Sequence, residues 1–76
     1  MPHKPSEAAR QHLGLSFMDV WIDYFALGGN LDAGQLTDYL CGQRHVSDTD
    51  HNIVVHALNE VFHDRGHNHP LTYRPV

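Results

Sequence analysis

The stretch LSFMDVWIDYFALGG, residues 15–29, decides the fold of this chain. Ser16 is a residue type that caps helix N-termini, and Asp19 stands three positions later, where a carboxylate meets free backbone amides. Gly28 follows the last apolar residue and can adopt the left-handed backbone conformation that closes a helix. These signals predict a helix from about Phe17 to Leu27.

Apolar side chains cover an unusually wide part of this predicted helix. At 100° per residue they span roughly 220° of the circumference, about twice the stripe that an ordinary surface helix buries. The apolar residues are Phe17, Met18, Val20, Trp21, Ile22, Tyr24, Phe25 and Leu27. Only Asp19 and Asp23 mark a clearly polar strip. The helix is therefore expected to be central in the fold, or to bury a second face against another molecule.

Cap and stop signals predict three further helices around this one. A short helix from Ser6 to about Leu13 precedes it, and a second helix from Ala33 to about Cys41 follows it. The longest helix runs from roughly Asp48 to Arg65 and stops at Gly66. Its predicted apolar face consists of Ile53, Val54, Ala57, Leu58, Val61 and Phe62. The opposite, polar face carries Asn52, His56, Asn59, Glu60 and His63.

The predicted fold class is all-α, a compact domain of three or four helices with an extended, proline-containing C-terminal tail. All 76 residues form one small domain, with a flexible arm (1–5), a helical core (6–66) and the tail (67–76). Pro70 and Pro75 forbid a continuing helix in the tail. Leu71 and Tyr73 are the side chains expected to dock it onto the helices. At this length a hydrophobic core is just adequate, so association with a partner or a second copy is an early expectation.

Histidine outnumbers lysine and arginine together, eight to five. The formal charge is −4 with neutral histidines and becomes +4 when all eight are protonated. Histidine is the side chain that titrates between about pH 5 and 8. We expect raised pKa values for His51 near Asp48 and for His56 near Glu60, because a carboxylate stabilises the imidazolium. The composition thus predicts that association depends on pH.

Several classes of protein are disfavoured by the composition. The first eleven residues are polar, and no apolar run approaches the ~18 residues of a membrane span, so a cytoplasmic location is expected. Cys41 is a lone cysteine, which fits a reducing compartment. His45 is its only histidine neighbour in sequence, but the end of a helix raises a thiol pKa. We therefore expect Cys41 to be a buried, inert side chain, and we assign no catalytic residue and no membrane partner.

The histidines offer one alternative function, the binding of zinc. His63, His67 and His69 cluster around the predicted end of the longest helix and could together reach one ion. A second set on that helix includes Glu60 and His63 at the spacing used in di-iron bundles. His56 and His63 are ~10 Å apart along a helix axis, too far to share one ion. Zinc is thus the one cofactor that the sequence suggests, and a solvated polar face explains the same residues.

A helix-turn-helix that binds DNA is the second alternative, because the stretch from Gln35 to Cys41, a glycine-bearing turn and the helix from Asp48 follow one another in roughly the right order. The would-be recognition helix begins with Asp48 and Asp50 and carries no lysine or arginine there. Negative side chains would face phosphates of the same sign. Nucleic acid is therefore disfavoured as a partner.

The wide apolar helix gives the main expectation for function. Aromatic side chains and methionine are favoured in the centre of protein interfaces. The expected partner-binding residues are Met18, Trp21, Ile22 and Phe25. The sequence therefore predicts a non-enzymatic interaction or regulatory module that presents this helix to a protein partner or to a second copy of itself.

Overall fold

Four helices account for the architecture of the chain in its computed structural model, which describes residues 4–68 and 71–75. They are α1 (Pro5–Leu13), α2 (Phe17–Ala26), α3 (Ala33–Leu40) and α4 (Asp48–Asp64). No strand occurs among the described residues. The all-α prediction is confirmed, and each predicted helix matches the observed one at one end and differs by one residue at the other.

Side-chain caps set the first residues of the last three helices. The Ser16 hydroxyl accepts a hydrogen bond from the Asp19 amide at 3.0 Å, and the Asp19 carboxylate accepts one from the Ser16 amide at 2.9 Å. Asp32 and Gln35 form the same reciprocal pair at the start of α3. Ser47 caps α4. Each cap accepts a hydrogen bond from a backbone amide that has no partner within the helix, and this stabilises the helix by about 1 kcal/mol.

The core lies between the helices, with α4 packed against both α1 and α2, and α2 packed against α3. Every helix contributes apolar side chains to one continuous cluster. Its buried members are Ala9, Leu13, Val20, Tyr24, Leu36, Tyr39, Leu40, Val54, Leu58 and Phe62. Since α2 and α4 each pack against two other helices, these two helices form the centre of the fold.

Tyr24 is the most heavily bonded member of this core. Its side chain is fully buried, and its hydroxyl donates to the Asp50 carboxylate at 2.7 Å. The same oxygen accepts from the backbone amides of Asn30, at 3.0 Å, and Leu31, at 2.9 Å. Burial raises the pKa of this hydroxyl, which keeps it a donor to the carboxylate. One phenol thus joins α2, the loop that follows it and the first turn of α4.

Gly29 is required where the loop passes over this tyrosine. A Cβ atom at position 29 would lie 2.1 Å from Cζ of Tyr24. The ring is fixed by its three hydrogen bonds and cannot move aside, so only glycine fits the space.

The side chain of Arg10 attaches α1 to the start of α2. Glu7 is buried and pairs with Arg10, one turn later on α1. The Arg10 guanidinium lies 3.9 Å from the centre of the Phe17 ring and donates to the Leu15 carbonyl at 2.7 Å. The buried carboxylate is therefore compensated, and the arginine holds the connection between the two helices.

Two details at the chain ends and turns differ from expectation. Pro5 was assigned to the flexible arm but is the first residue of α1, because proline is favoured at the first helical position. Cys41 is exposed, so the prediction that it is buried is wrong. It lies just beyond the last turn of α3, outside the helix face that packs on the core.

The residues after α4 form neither helix nor strand where the structure describes them. Leu71 is partly buried against the core cluster, as predicted. The extended conformation of the whole tail stays a prediction, because His69, Pro70 and Val76 lie outside the described residues, as do residues 1–3 of the arm.

Replacing Tyr24 with phenylalanine tests its role as the hub of the fold. The change removes the hydroxyl that bonds one carboxylate and two backbone amides, so we expect a loss of about 1–3 kcal/mol in the free energy of unfolding. Urea denaturation followed by circular dichroism measures it. Tyr73→Phe removes an exposed tyrosine hydroxyl as a control, and an equal loss in both variants would contradict the assignment.

Candidate functional site

Three of the four predicted partner-binding residues form an exposed face on α2. Met18, Ile22 and Phe25 are 52%, 54% and 58% exposed. They follow one another at spacings of four and three residues, which places them on one side of the helix. The structure therefore leaves a row of three large apolar side chains in contact with solvent, and we call this row the α2 face.

Trp21 lies at the edge of the α2 face and is half-buried. Its indole Nε1 donates to the Leu31 carbonyl at 2.9 Å, and its ring centre is 5.2 Å from that of Phe25. The tryptophan thus packs against the core on one side and against the α2 face on the other. It supports the exposed row and fixes the loop after α2.

The rest of the wide apolar arc turns inward. Val20 and Tyr24 are buried, and Phe17 is half-buried beneath the Arg10 guanidinium. Tertiary contacts therefore use about half of the arc and leave the other half at the surface. The sequence indicated that the arc was too wide for an ordinary surface helix, but the arc alone did not show which half would be covered.

Acidic side chains border the α2 face. Asp19 and Asp23 are exposed one turn apart on α2. The pKa of Asp23 is raised, first by partial burial and then by the negative charges of Glu60 and Asp19. Glu60, on the neighbouring helix α4, thus lies close enough for its charge to act on Asp23. The Asp19 pKa is lowered, chiefly by the hydrogen bond from the Ser16 amide, so this carboxylate is firmly ionised.

Only two of the three proposed zinc ligands lie among the described residues, so the structure does not show a complete site. His63 lies on the exposed side of α4. His67 follows the Gly66 turn, and its ring edge contacts Phe62 with 6.1 Å between ring centres. His69 lies outside the described residues. Within residues 4–68 and 71–75, no three His, Cys, Asp or Glu side chains are grouped to hold a metal ion. Zinc binding through all three histidines stays a prediction.

Several histidines make structural contacts, and the sequence predicts only one of those named here, the pairing of His56 with Glu60. His12 stacks on the Phe62 ring with 6.1 Å between centres, and His67 covers the edge of the same ring. His56 pairs with Glu60 at 2.9 Å and contacts the Tyr73 hydroxyl at 3.2 Å. His12 and His67 thus pack on one ring, whereas His56 makes polar contacts and lines a surface cavity with Glu60, His63 and Asp64.

His51 is half-buried between α3 and the residues after α4. Its Nδ1 is hydrogen-bonded to the Tyr39 hydroxyl, and the ring also bonds the backbone of Thr72. Its pKa is lowered, first by burial and then by the positive charge of Arg74. The prediction of a raised pKa is therefore wrong for His51. Asp48 does raise it, as expected, but the tail brings a cation and excludes water, and these effects are larger.

The polar face of α4 differs from the prediction in one important way. Asn59 is completely buried, although the helical pattern placed it on the solvated side. Val55, beside it, is also buried and was not part of the predicted apolar face. Asn59 exchanges two hydrogen bonds with the backbone of Leu71, which explains its burial. The tail therefore widens the buried arc of α4.

Comparisons with protein-family models, with curated proteins and with solved structures find no match to this chain. None of the helices described above has the length and apolar character needed to cross a membrane.

The lowered pKa of His51 gives a prediction about pH. The unfolded chain binds the proton of this group more readily than the folded chain, so the stabilisation is complete above the ordinary histidine pKa of about 6.5. It is lost as the pH falls below that value and through the lowered folded pKa. Urea unfolding should show that the wild type loses more stability than His51→Gln between about pH 7.5 and 5.5. As a control, His45→Gln removes an exposed histidine and should lose as much stability as the wild type over this pH range. If His45→Gln reduced the pH dependence as much as His51→Gln does, the assignment to His51 would be contradicted.

Proposed function

We propose that this chain is a non-enzymatic, cytoplasmic interaction module that binds a protein partner through the α2 face. The observation that carries the proposal is the row of Met18, Ile22 and Phe25, each more than half exposed on one side of a helix. Contiguous apolar side chains at a surface bordered by polar residues are typical of protein-binding sites. The spacing of four and three residues suits a helix that packs alongside α2.

The charge around the α2 face defines the chemistry of the partner. Asp19 and Asp23 border the face, Glu60 adds a negative charge from α4, and the whole chain carries −4. A second copy would bring the same acidic rim to the same contact. A partner helix with apolar side chains flanked by lysine or arginine would instead meet opposite charges, which favour encounter and orientation. We therefore assign the face to such a basic, amphipathic helix.

Ile22 occupies the centre of the row, and central apolar residues contribute most to binding. Trp21 contacts Phe25 and lies next to this centre, so its environment changes when the face is covered. It is the single tryptophan of the chain. Its fluorescence therefore reports occupation of the α2 face without a label.

Binding can be tested with a synthetic amphipathic helix of leucine and lysine, about five helical turns long. Titration of the full chain should change the Trp21 emission to saturation. A leucine and glutamate peptide with the same apolar pattern should bind about tenfold more weakly or not at all, because its charges repel the rim.

The variant Ile22→Asp distinguishes specific binding at the α2 face from non-specific electrostatic attraction of the basic peptide. The variant adds a negative charge, which would strengthen non-specific binding of a basic peptide, but it places that charge in the apolar centre. We expect it to weaken binding about tenfold or more. Ala8→Asp adds the same charge at an exposed position of α1 and should bind like the wild type.

Light scattering on the same samples decides between the two kinds of partner. A monomeric wild type that binds the lysine peptide supports the proposal. A dimer that Ile22→Asp dissociates would assign the face to a second copy and overturn the basic partner. Equal binding by wild type and Ile22→Asp would remove the α2 face as the site.

A further inference from the structure

Two asparagines on α4 bind the backbone of the chain's own C-terminal segment in the same way. Asn59 donates to the Leu71 carbonyl at 3.1 Å and accepts from the Leu71 amide at 3.2 Å. Asn52 donates to the Arg74 carbonyl at 2.8 Å and accepts from the Arg74 amide at 2.7 Å. Each side-chain amide thus satisfies both hydrogen-bonding groups of one residue, as a neighbouring strand would.

The distance between the two asparagines along α4 is about the same as the distance between Leu71 and Arg74 along an extended segment. Seven residues along a helix correspond to ~10.5 Å. Three residues of extended chain, from Leu71 to Arg74, span about 10 Å. Asn52 and Asn59 therefore engage every third residue of such a segment, and they do so through its main chain. A site of this kind sets the register of a peptide without reading its sequence.

Side chains around the two asparagines supply the selectivity. Val55 lies between them on the same side of α4 and is buried, and it does not belong to the continuous core cluster. Leu71 is partly buried against that cluster. At the other end Asp48 contacts the Arg74 guanidinium at 3.4 Å. An apolar residue followed three positions later by a basic one is thus the pattern that this side of α4 accepts.

The contacts that hold the segment in place are mostly exposed and polar. Residues 72–75 are exposed, and Leu71 is the one apolar anchor among the described residues of the tail. Hydrogen bonds exchanged with water contribute little net stability, so such a segment opens locally at small cost. The tail therefore resembles a bound ligand more than a part of the core.

We propose that this side of α4, formed by Asn52, Val55 and Asn59, is a second binding site that takes an extended peptide from a partner protein. The peptide carries an apolar residue and, three positions later, a lysine or arginine. Residues 71–75 occupy the site within the chain and act as a built-in competitor. This site is separate from the α2 face, and its partner uses main-chain hydrogen bonds in place of an apolar helix.

The test uses the full chain with its own segment weakened. Leu71→Ser combined with Arg74→Glu removes the anchor and the ion pair of the tail while leaving the α4 site intact. The probe is a fluorescein-labelled synthetic peptide, HNHPLTYRPV, with the sequence of residues 67–76. We expect it to bind this tail variant at least about tenfold more tightly than the wild type, in which the attached segment competes at high effective concentration. Fluorescence anisotropy measures both affinities.

Two controls test whether the peptide binds at the α4 site and whether binding requires its apolar and basic residues. Adding Asn52→Ala to the tail variant removes two hydrogen bonds to the peptide and should weaken binding about tenfold. A labelled peptide with the same two tail substitutions should not bind the tail variant. Arg74→Glu alone changes one exposed residue. If the double variant fails to fold, the peptide affinity of this single variant is compared with that of the wild type instead.

The proposal is overturned if the labelled peptide fails to bind the folded tail variant. It is also overturned if the added Asn52→Ala leaves the affinity unchanged. A wild-type dimer that dissociates in Arg74→Glu would show that segments are exchanged between two copies, and would assign the site to a second copy in place of a partner protein.

Discussion

The hydroxyl group of Tyr24 is the point on which the arrangement of this fold depends. One buried oxygen serves two backbone amides of the loop after α2 and the carboxylate of Asp50 in the first turn of α4. Because these three hydrogen bonds meet on one buried oxygen, they hold the loop on a fixed course over the ring. That course places the Leu31 carbonyl where the indole of Trp21 can reach it. The rotation of α2 is fixed in consequence, and with it the side of α2 that solvent meets.

The two surfaces that we propose as binding sites differ in the chemistry that they present. The α2 face offers apolar side chains and an acidic rim, so it favours burial of hydrophobic area with the orientation set by charge. The side of α4 under the tail offers two amide side chains, which bond the chain's own backbone at Leu71 and Arg74. The first surface is unoccupied by any described residue, whereas the second is occupied by residues 71–75. A small helical domain can in this way present two chemically unlike sites.

The histidines described in this chain act mainly as structural groups, although their number suggested a metal site or a switch of charge. His12 and His67 cover Phe62, His51 joins α3 to the tail, and His56 pairs with Glu60. An imidazole is flat, partly apolar and able to accept or donate a hydrogen bond, so it suits positions at the edge of a small core. His51 shows the consequence for charge, since its surroundings lower its pKa where sequence proximity to Asp48 predicted a rise.

The sequence by itself determined the four helices, because caps such as Ser16 and Asp32 and the stop glycines act over three or four residues and need no tertiary contact. It also determined that α2 is too apolar for an ordinary surface helix. Only the tertiary structure decided which half of that arc is buried, since this depends on where Tyr24 holds the loop. It alone decided that Asn59 is buried, because the tail that covers it returns from twelve residues away. Local patterns fix helix ends, whereas contacts between distant segments fix burial, charge environment and the surfaces left for partners.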